Sequence, residues 1–289
     1  MTLKIAGGCG EHGRNCFYAD AGGISFLVDC GIMAGSDDKF PRLSREEVQG
    51  LSYVFLTHSH LDHTGAVPWL YKNGFGGWII ASSCTLEQLP FQVRKAVPIE
   101  PWCKNNTADF GGISFEYGRA GHCEGSIWYH FCTADGSALF SGDYSEHSAV
   151  YSCDKIRGRS ADIAVLDCAY GSDVRDFGEC CDEIIDTIRL LKNRYDTLIF
   201  PVPKYGRGIE LLKLFRERLP EYICCGDKHF TEQLRGVFER RYWYKETAFS
   251  VFPYEADRHC DILFLSDPQL RSDKARETAE RIIQNGAAG

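Results

Sequence analysis

Thr57-His58-Ser59-His60-Leu61-Asp62-His63-Thr64-Gly65 decides the reading of this chain. It sets three histidines and one aspartate within the six positions from His58 to His63. The apolar run Leu51-Ser52-Tyr53-Val54-Phe55-Leu56 precedes it and reads as a buried strand. Imidazole is the commonest transition-metal ligand, and aspartate adds a charged oxygen. On a loop leaving a strand, residues at this spacing can point at two neighbouring metal ions. On a regular helix they would not share one face, which excludes the helical H-E-x-x-H arrangement.

The run matches the H-x-H-x-D-H signature of the metallo-β-lactamase-fold hydrolases, and the resemblance continues along the chain. Gly121-His122-Cys123-Glu124-Gly125-Ser126 resembles that family's third metal motif, a lone histidine on a loop. Phe140-Ser141-Gly142-Asp143-Tyr144 resembles the fourth, an aspartate between two metals, and Val28-Asp29-Cys30-Gly31 the first. Leu166-Asp167-Cys168-Ala169-Tyr170-Gly171 resembles the acidic motif where the β-CASP branch begins. That branch holds ribonuclease J-like RNA-processing nucleases. Pro203-Lys204-Tyr205-Gly206-Arg207-Gly208-Ile209-Glu210 resembles a glycine-arginine helix start in its cap domain.

The resemblance implies a zinc enzyme with two ions. His58, His60 and His122 would form a three-histidine site with one position open for water, the feature that separates catalytic from structural zinc. Asp62, His63 and Asp143 would hold the second ion, with Asp143 between the two. Asp62 would also orient the attacking hydroxide. Asp29 and Asp167 complete the expected catalytic set by holding ligands or loops in place. In the family a further histidine motif follows the cap and completes the second site. No histidine follows His259 here, so the expectation is either a fragment or a shortened member with an altered second site.

Composition narrows the class. A chain of 289 residues, 44% apolar and 25% charged, can bury a substantial core as one large or two smaller domains. No apolar run is long enough to span a bilayer. Met1 to Gly8 reads as a strand without a signal-peptide core, so the expected location is cytoplasmic, with no membrane partner. The 14 cysteines form no C-x-x-C pairs and are expected as reduced thiols in core strands, Cys123 and Cys168 included. The net charge of −8 argues against tight non-specific nucleic-acid binding.

Patterning gives an α/β fold in two parts. Residues 1–170 read as an αβ/βα metallo-β-lactamase sandwich, with strands that deliver His58, His122, Asp143 and Asp167 at their ends. Ser44, with Glu47 three residues on, opens a short helix. His63 to Asn73 reads as one helix ended by Gly74, and Thr85 to Lys95 as a helix interrupted by Pro90. Residues 171–289 repeat strand-helix units, which predicts a parallel sheet. This part resembles the β-CASP cap, incomplete and without the return of the chain to the first domain.

Lys204 and Arg207, on a loop entering a helix, are the expected phosphate contacts. His12 is a third expected substrate contact, from a loop able to reach the cleft. Arg240-Arg241-Tyr242-Trp243-Tyr244-Lys245 reads as a partly buried aromatic edge flanked by surface arginines. The function expected is a metal-dependent phosphodiesterase acting on RNA, with metal-bound hydroxide attacking phosphorus. Two other readings stay open. One is a small-molecule hydrolase of thioesters, lactones or lactams; the other is a non-catalytic member. The sequence leaves the oligomeric state open.

Overall fold

The computed structural model describes residues 1–245, 251–256 and 258–284. The chain divides into two compact units. The first holds Met1–Glu146 and Cys153–Asp167; the second holds His147–Ser152 and the described residues from Cys168 onward.

In the first unit, β1 (Thr2–Gly7), β2 (Cys16–Ala21), β3 (Ile24–Val28), β4 (Leu51–Phe55), β5 (Trp78–Ala81) and β6 (Ala96–Pro98) form one sheet in sequence order. The β1–β2–β3 meander is antiparallel, and β3 to β6 run parallel. The second sheet has the order β11 (Ile163–Val165), β10 (Gly136–Phe140), β9 (Ile127–Thr133), β8 (Ile113–Arg119) and β7 (Thr107–Phe110). Only its β10–β11 pair is parallel.

Aromatic rings fill the space between these sheets. Phe55 meets Phe131 at 4.8 Å and Phe115 at 5.3 Å between ring centroids, and Phe26 meets Phe131 at 5.0 Å. Edge-to-face and tilted pairs of this kind add to the area buried. On the other face of the first sheet, Leu27, Val54, Ile79 and Ala81 pack against Val48 of α1 (Arg45–Gly50) and Val67 and Leu70 of α3 (Val67–Lys72). Ser44 and Glu47 close the predicted capping box on α1.

The helix read from His63 to Asn73 is two. A single turn, α2 (Leu61–Thr64), ends at Gly65, and α3 restarts at Val67 with Pro68 in its first turn. Proline fits there because the first-turn N–H has no helical partner to lose. Likewise α4 (Ser83–Gln88) stops before Pro90 instead of running to Lys95.

In the second unit, β12 (Leu198–Pro201), β15 (Ile262–Leu265), β13 (Cys224–Gly226) and β14 (Phe252–Pro253) form a four-stranded parallel sheet in that order. The connecting helices are α5 (Phe177–Lys192), α6 (Arg207–Arg218), α7 (Lys228–Glu239) and α8 (Asp273–Gln284). Alternation along β15 sets the two faces. Phe264 meets Phe215 of α6 and stacks on Phe230 of α7 at 4.7 Å, while Leu263 and Leu265 pack with Ala279 and Ile282 of α8. Trp243 and Tyr244 are buried, with Arg241 and Tyr242 exposed beside them. No described helix is long and apolar enough to cross a membrane.

No disulfide joins any of the 14 cysteines, but they are not all in the core: Cys9 and Cys132 are exposed. Cys123 is buried as expected, but Cys168 is exposed because it lies beyond the end of β11, where no strand neighbour covers it.

Candidate metal centre

The site begins where β3 and β4 end side by side. Asp29, with φ of 60°, leaves β3 in a left-handed turn and points its buried carboxylate at β4. Thr57 N–H donates to Asp29 Oδ1 at 2.8 Å, and the Thr57 hydroxyl donates to Oδ2 at 2.9 Å. That hydroxyl oxygen, its proton already given, accepts from His58 Nδ1 at 3.1 Å. His63 Nδ1 donates to Asp29 Oδ2 at 2.8 Å. One carboxylate thus fixes the tautomers of two histidines and turns both Nε2 lone pairs toward the cavity.

The backbone locks the histidine loop in place. Cys30 N–H donates to His63 O, Asn15 N–H to Asp62 O, and Ile32 N–H to Leu61 O, at 2.7, 2.8 and 3.0 Å. Gly31 is what lets these strands pass: a Cβ there would stand 1.6 Å from Asp62 O. Gly142 has φ of 53°, and a Cβ on it would press 2.7 Å from Thr57 Cβ. These two glycines bring the β3 and β10 loops against the histidine loop.

His122 follows β8, its N–H donating to Ser126 Oγ at 3.2 Å. Asp143 follows β10. One residue on, Tyr144 N–H donates to Asp167 Oδ2 at 3.1 Å, so exposed Asp167 braces the Asp143 loop.

Ligand atoms converge in two adjoining groups. His58 Nε2 lies 3.1 Å from His60 Nδ1, and His122 Nε2 lies 3.2 Å from the same atom. Asp143 Oδ2 stands 3.3 Å from His122 Nε2 and 3.8 Å from His58 Nε2. These four residues place one donor each within 4.8 Å of all the others. Two ligands on one ion with bonds of about 2.0–2.2 Å stand about 2.9–3.5 Å apart at octahedral or tetrahedral angles. The group therefore fits a divalent transition metal.

The other oxygen, Asp143 Oδ1, lies 3.1 Å from His63 Nε2, and Asp62 Oδ2 lies 3.7 Å from the same nitrogen. Asp143 thus turns one oxygen to each group.

The charged groups of the site act on one another: burial would lower the His63 pKa, but Asp29 and Asp143 outweigh it and hold it well above the usual imidazole value. Burial, with His63 beside it, holds the His58 pKa well below the usual imidazole value, so His58 is neutral and its lone pair free. Burial would raise Asp143, but His63, His58 and His122 outweigh it and keep that carboxyl well below the usual range.

The expected substrate contacts fall in both units. His12 is exposed on the turn before Gly13. In the second unit Lys204 is exposed ahead of α6. Arg207, the first residue of α6, donates to Tyr170 Oη and lies 3.6 Å from Glu210. Sequence reasoning missed Thr57 and Asn15. The signal for Thr57 was its place beside His58 at a strand end. Asn15 gave none, because its contact with His63 spans 48 positions.

The chain is similar to several known proteins. A transcription termination factor FttA from Methanothermobacter thermautotrophicus is 30% identical over 261 residues, covering 78% of this chain and 40% of the relative. Cleavage and polyadenylation specificity factor 73 of Drosophila melanogaster is 24% identical, covering 75% of this chain and 36% of the relative. A ribonuclease of Thermus thermophilus is 24% identical, covering 78% and 58%. The chain thus spans about two fifths of the first two relatives. A crystal structure of a protein of unknown function from Enterococcus faecalis V583 superposes with a TM-score of 0.61 at 14% identity, covering 99% of this chain and 87% of that one. Residues 9–187, from the β1–β2 loop into α5, match the metallo-β-lactamase superfamily, and the chain belongs to it.

Proposed function

We propose that this chain is the metal-dependent hydrolytic part of an RNA phosphodiesterase, with zinc held by His58, His60 and His122. One observation carries the reading: Asp143 turns one carboxylate oxygen to the His58–His60–His122 group and the other to His63. Such a shared carboxylate suits a two-ion site, and displacement at phosphorus is chemistry that two adjoining cations favour. The relatives' names, a ribonuclease and a cleavage factor among them, support RNA as substrate.

Bound divalent metal supplies Lewis acidity and a nucleophile at neutral pH. The protein supplies the rest. Asp29 holds His58 and His63 in the tautomers that bind. Asp62, its side chain about one third exposed, accepts a hydrogen bond from the attacking water and aims it. Asp167 keeps the Asp143 loop in place through Tyr144. Lys204, on the loop before α6, and Arg207, its first residue, bind phosphate on the second unit; His12 is the corresponding contact on the first.

The test is cleavage of end-labelled single-stranded RNA by zinc- or manganese-loaded protein. Cleavage lost in the His58→Ala/His60→Ala double variant supports the reading. Hydrolysis of a thioester or lactone with RNA left intact would replace it by the small-molecule reading.

A further inference from the structure

Only the backbone of Asn15 has a role above, yet its side chain ends inside the second ligand group. Its Nδ2 lies 3.0 Å from His63 Nε2, as near as Asp143 Oδ1 at 3.1 Å and nearer than Asp62 Oδ2 at 3.7 Å. Asn15 and Asp143 therefore stand from His63 Nε2 at the separations that ligands of one ion show, with Asp62 slightly beyond them. Two of the three are carboxylates already read as ligands.

We propose that Asn15 is the fourth protein ligand of the second cation position, through its side-chain oxygen. This rests on the assignment of His63, Asp62 and Asp143 to that position.

An amide's two ends have the same shape, and a half-turn about the last side-chain bond exchanges them. The nitrogen now facing His63 also donates to Asp62 O at 3.3 Å. The half-turn gives up that long bond, but Asp62 O keeps the Asn15 backbone N–H at 2.8 Å. Exchange therefore leaves no backbone carbonyl without a donor. It places an oxygen where the nitrogen was.

The backbone around Asn15 is built to hold this position. Gly31 N–H donates to Asn15 O at 2.9 Å, so Asn15 is tied on both sides to the loops that carry Asp29 and Asp62. Arg14, next to it, is buried and anchored by Glu11 and by Asp38 at 2.6 and 2.9 Å. A neutral amide oxygen adds no charge beside Asp62 and Asp143. It makes a ligand weaker than a carboxylate and compatible with a site that fills second.

The test is a titration of metal-free full chain with Co²⁺, read by visible absorption, and with Zn²⁺ against a chromophoric chelator. Asn15→Ala should weaken the second equivalent by about tenfold or more, the scale found when groups that merely hold a ligand are removed. The first equivalent should be unchanged. Asn15→Asp should tighten the second equivalent beyond wild type. A second equivalent bound by Asn15→Ala as tightly as by wild type overturns the proposal. Should Asn15→Ala fail to fold, Asn15→Asp decides: unchanged or weaker affinity there also overturns it. His63→Ala separates the two layers of the argument. If it leaves the second equivalent untouched, the position itself is wrongly assigned; if it abolishes that equivalent while Asn15→Ala does not, only the role of Asn15 fails.

Discussion

His63 Nδ1 rests 2.8 Å from Asp29 Oδ2, joining the end of β3 to the turn of α2 across 34 positions of sequence. The same carboxylate takes two hydrogen bonds from Thr57. Asp29→Asn keeps the shape but loses the charge and one acceptor. It should cost about 10–100-fold in metal affinity, the usual loss when a group behind a ligand is changed. Asp29→Ala should also destabilise the fold by about 2–4 kcal/mol, since it strands buried donors. Chelator competition and urea unfolding measure the two effects.

Metal binding should depend on His58 and His60 together. Their Nε2 and Nδ1 atoms are 3.1 Å apart, at the separation of two ligands on one ion. His58→Ala/His60→Ala should retain no firmly held zinc after dialysis, and elemental analysis reads this directly. Zinc content equal to wild type would remove the metal centre as described.

The centre was legible in the sequence where its chemistry is local. His58, His60, Asp62 and His63 are ligand-type side chains at fixed short spacing, and His122 and Asp143 each follow a strand flanked by glycine. The resemblance added their order. What the sequence concealed is long-range. Asn15 meets His63 only because β2 begins beside the turn that β4 feeds, and no periodicity encodes that. The break at Gly65 was hidden because the apolar pattern from His63 to Asn73 suits one helix or two. The short strands β6, β7 and β14 went unread, since two to four residues carry too little alternation to show against loops.

Gly31 should tolerate no side chain. With Asp62 O at 1.6 Å from its Cβ position, Gly31→Ala must push apart the loops that carry Asp29 and Asp62. A loss of at least about 3 kcal/mol in unfolding free energy is expected, at the upper end for overpacking. Metal affinity should fall with it. Gly50, with open space around its Cβ position, is the control: Gly50→Ala should stay close to wild type.

Stability should fall in acid partly through Glu11. Its hydrogen bond to Arg14 holds its carboxyl down at about 2, against an ordinary value of 4.5. A depressed folded-state pKa gives stability that is full above the ordinary value and fades as pH drops through about 4.5 toward about 2. Glu11→Gln should therefore lower the urea midpoint at pH 7 and change it little at pH 2. Equal losses at both pH values would mean that packing, not charge, is what Glu11 contributes.

Lys204 and Arg207 should separate in their effects on RNA binding. Lys204 is exposed, so its ammonium is accessible to a phosphate. Arg207 is held by the Tyr170 hydroxyl and lies 3.6 Å from Glu210, so it begins with its charge partly matched. Lys204→Gln should weaken binding of a single-stranded oligonucleotide and reduce the slope of log affinity against log salt by about one. Arg207→Gln should reduce that slope by less and lower thermal stability slightly, because it also removes a contact that ties Tyr170 to the first turn of α6. The double variant should leave zinc content unchanged, since neither residue lies in the ligand groups. Filter binding across a salt series, with melting curves of the same samples, distinguishes these outcomes. A salt slope unchanged in the double variant would show that phosphate is received elsewhere on the chain.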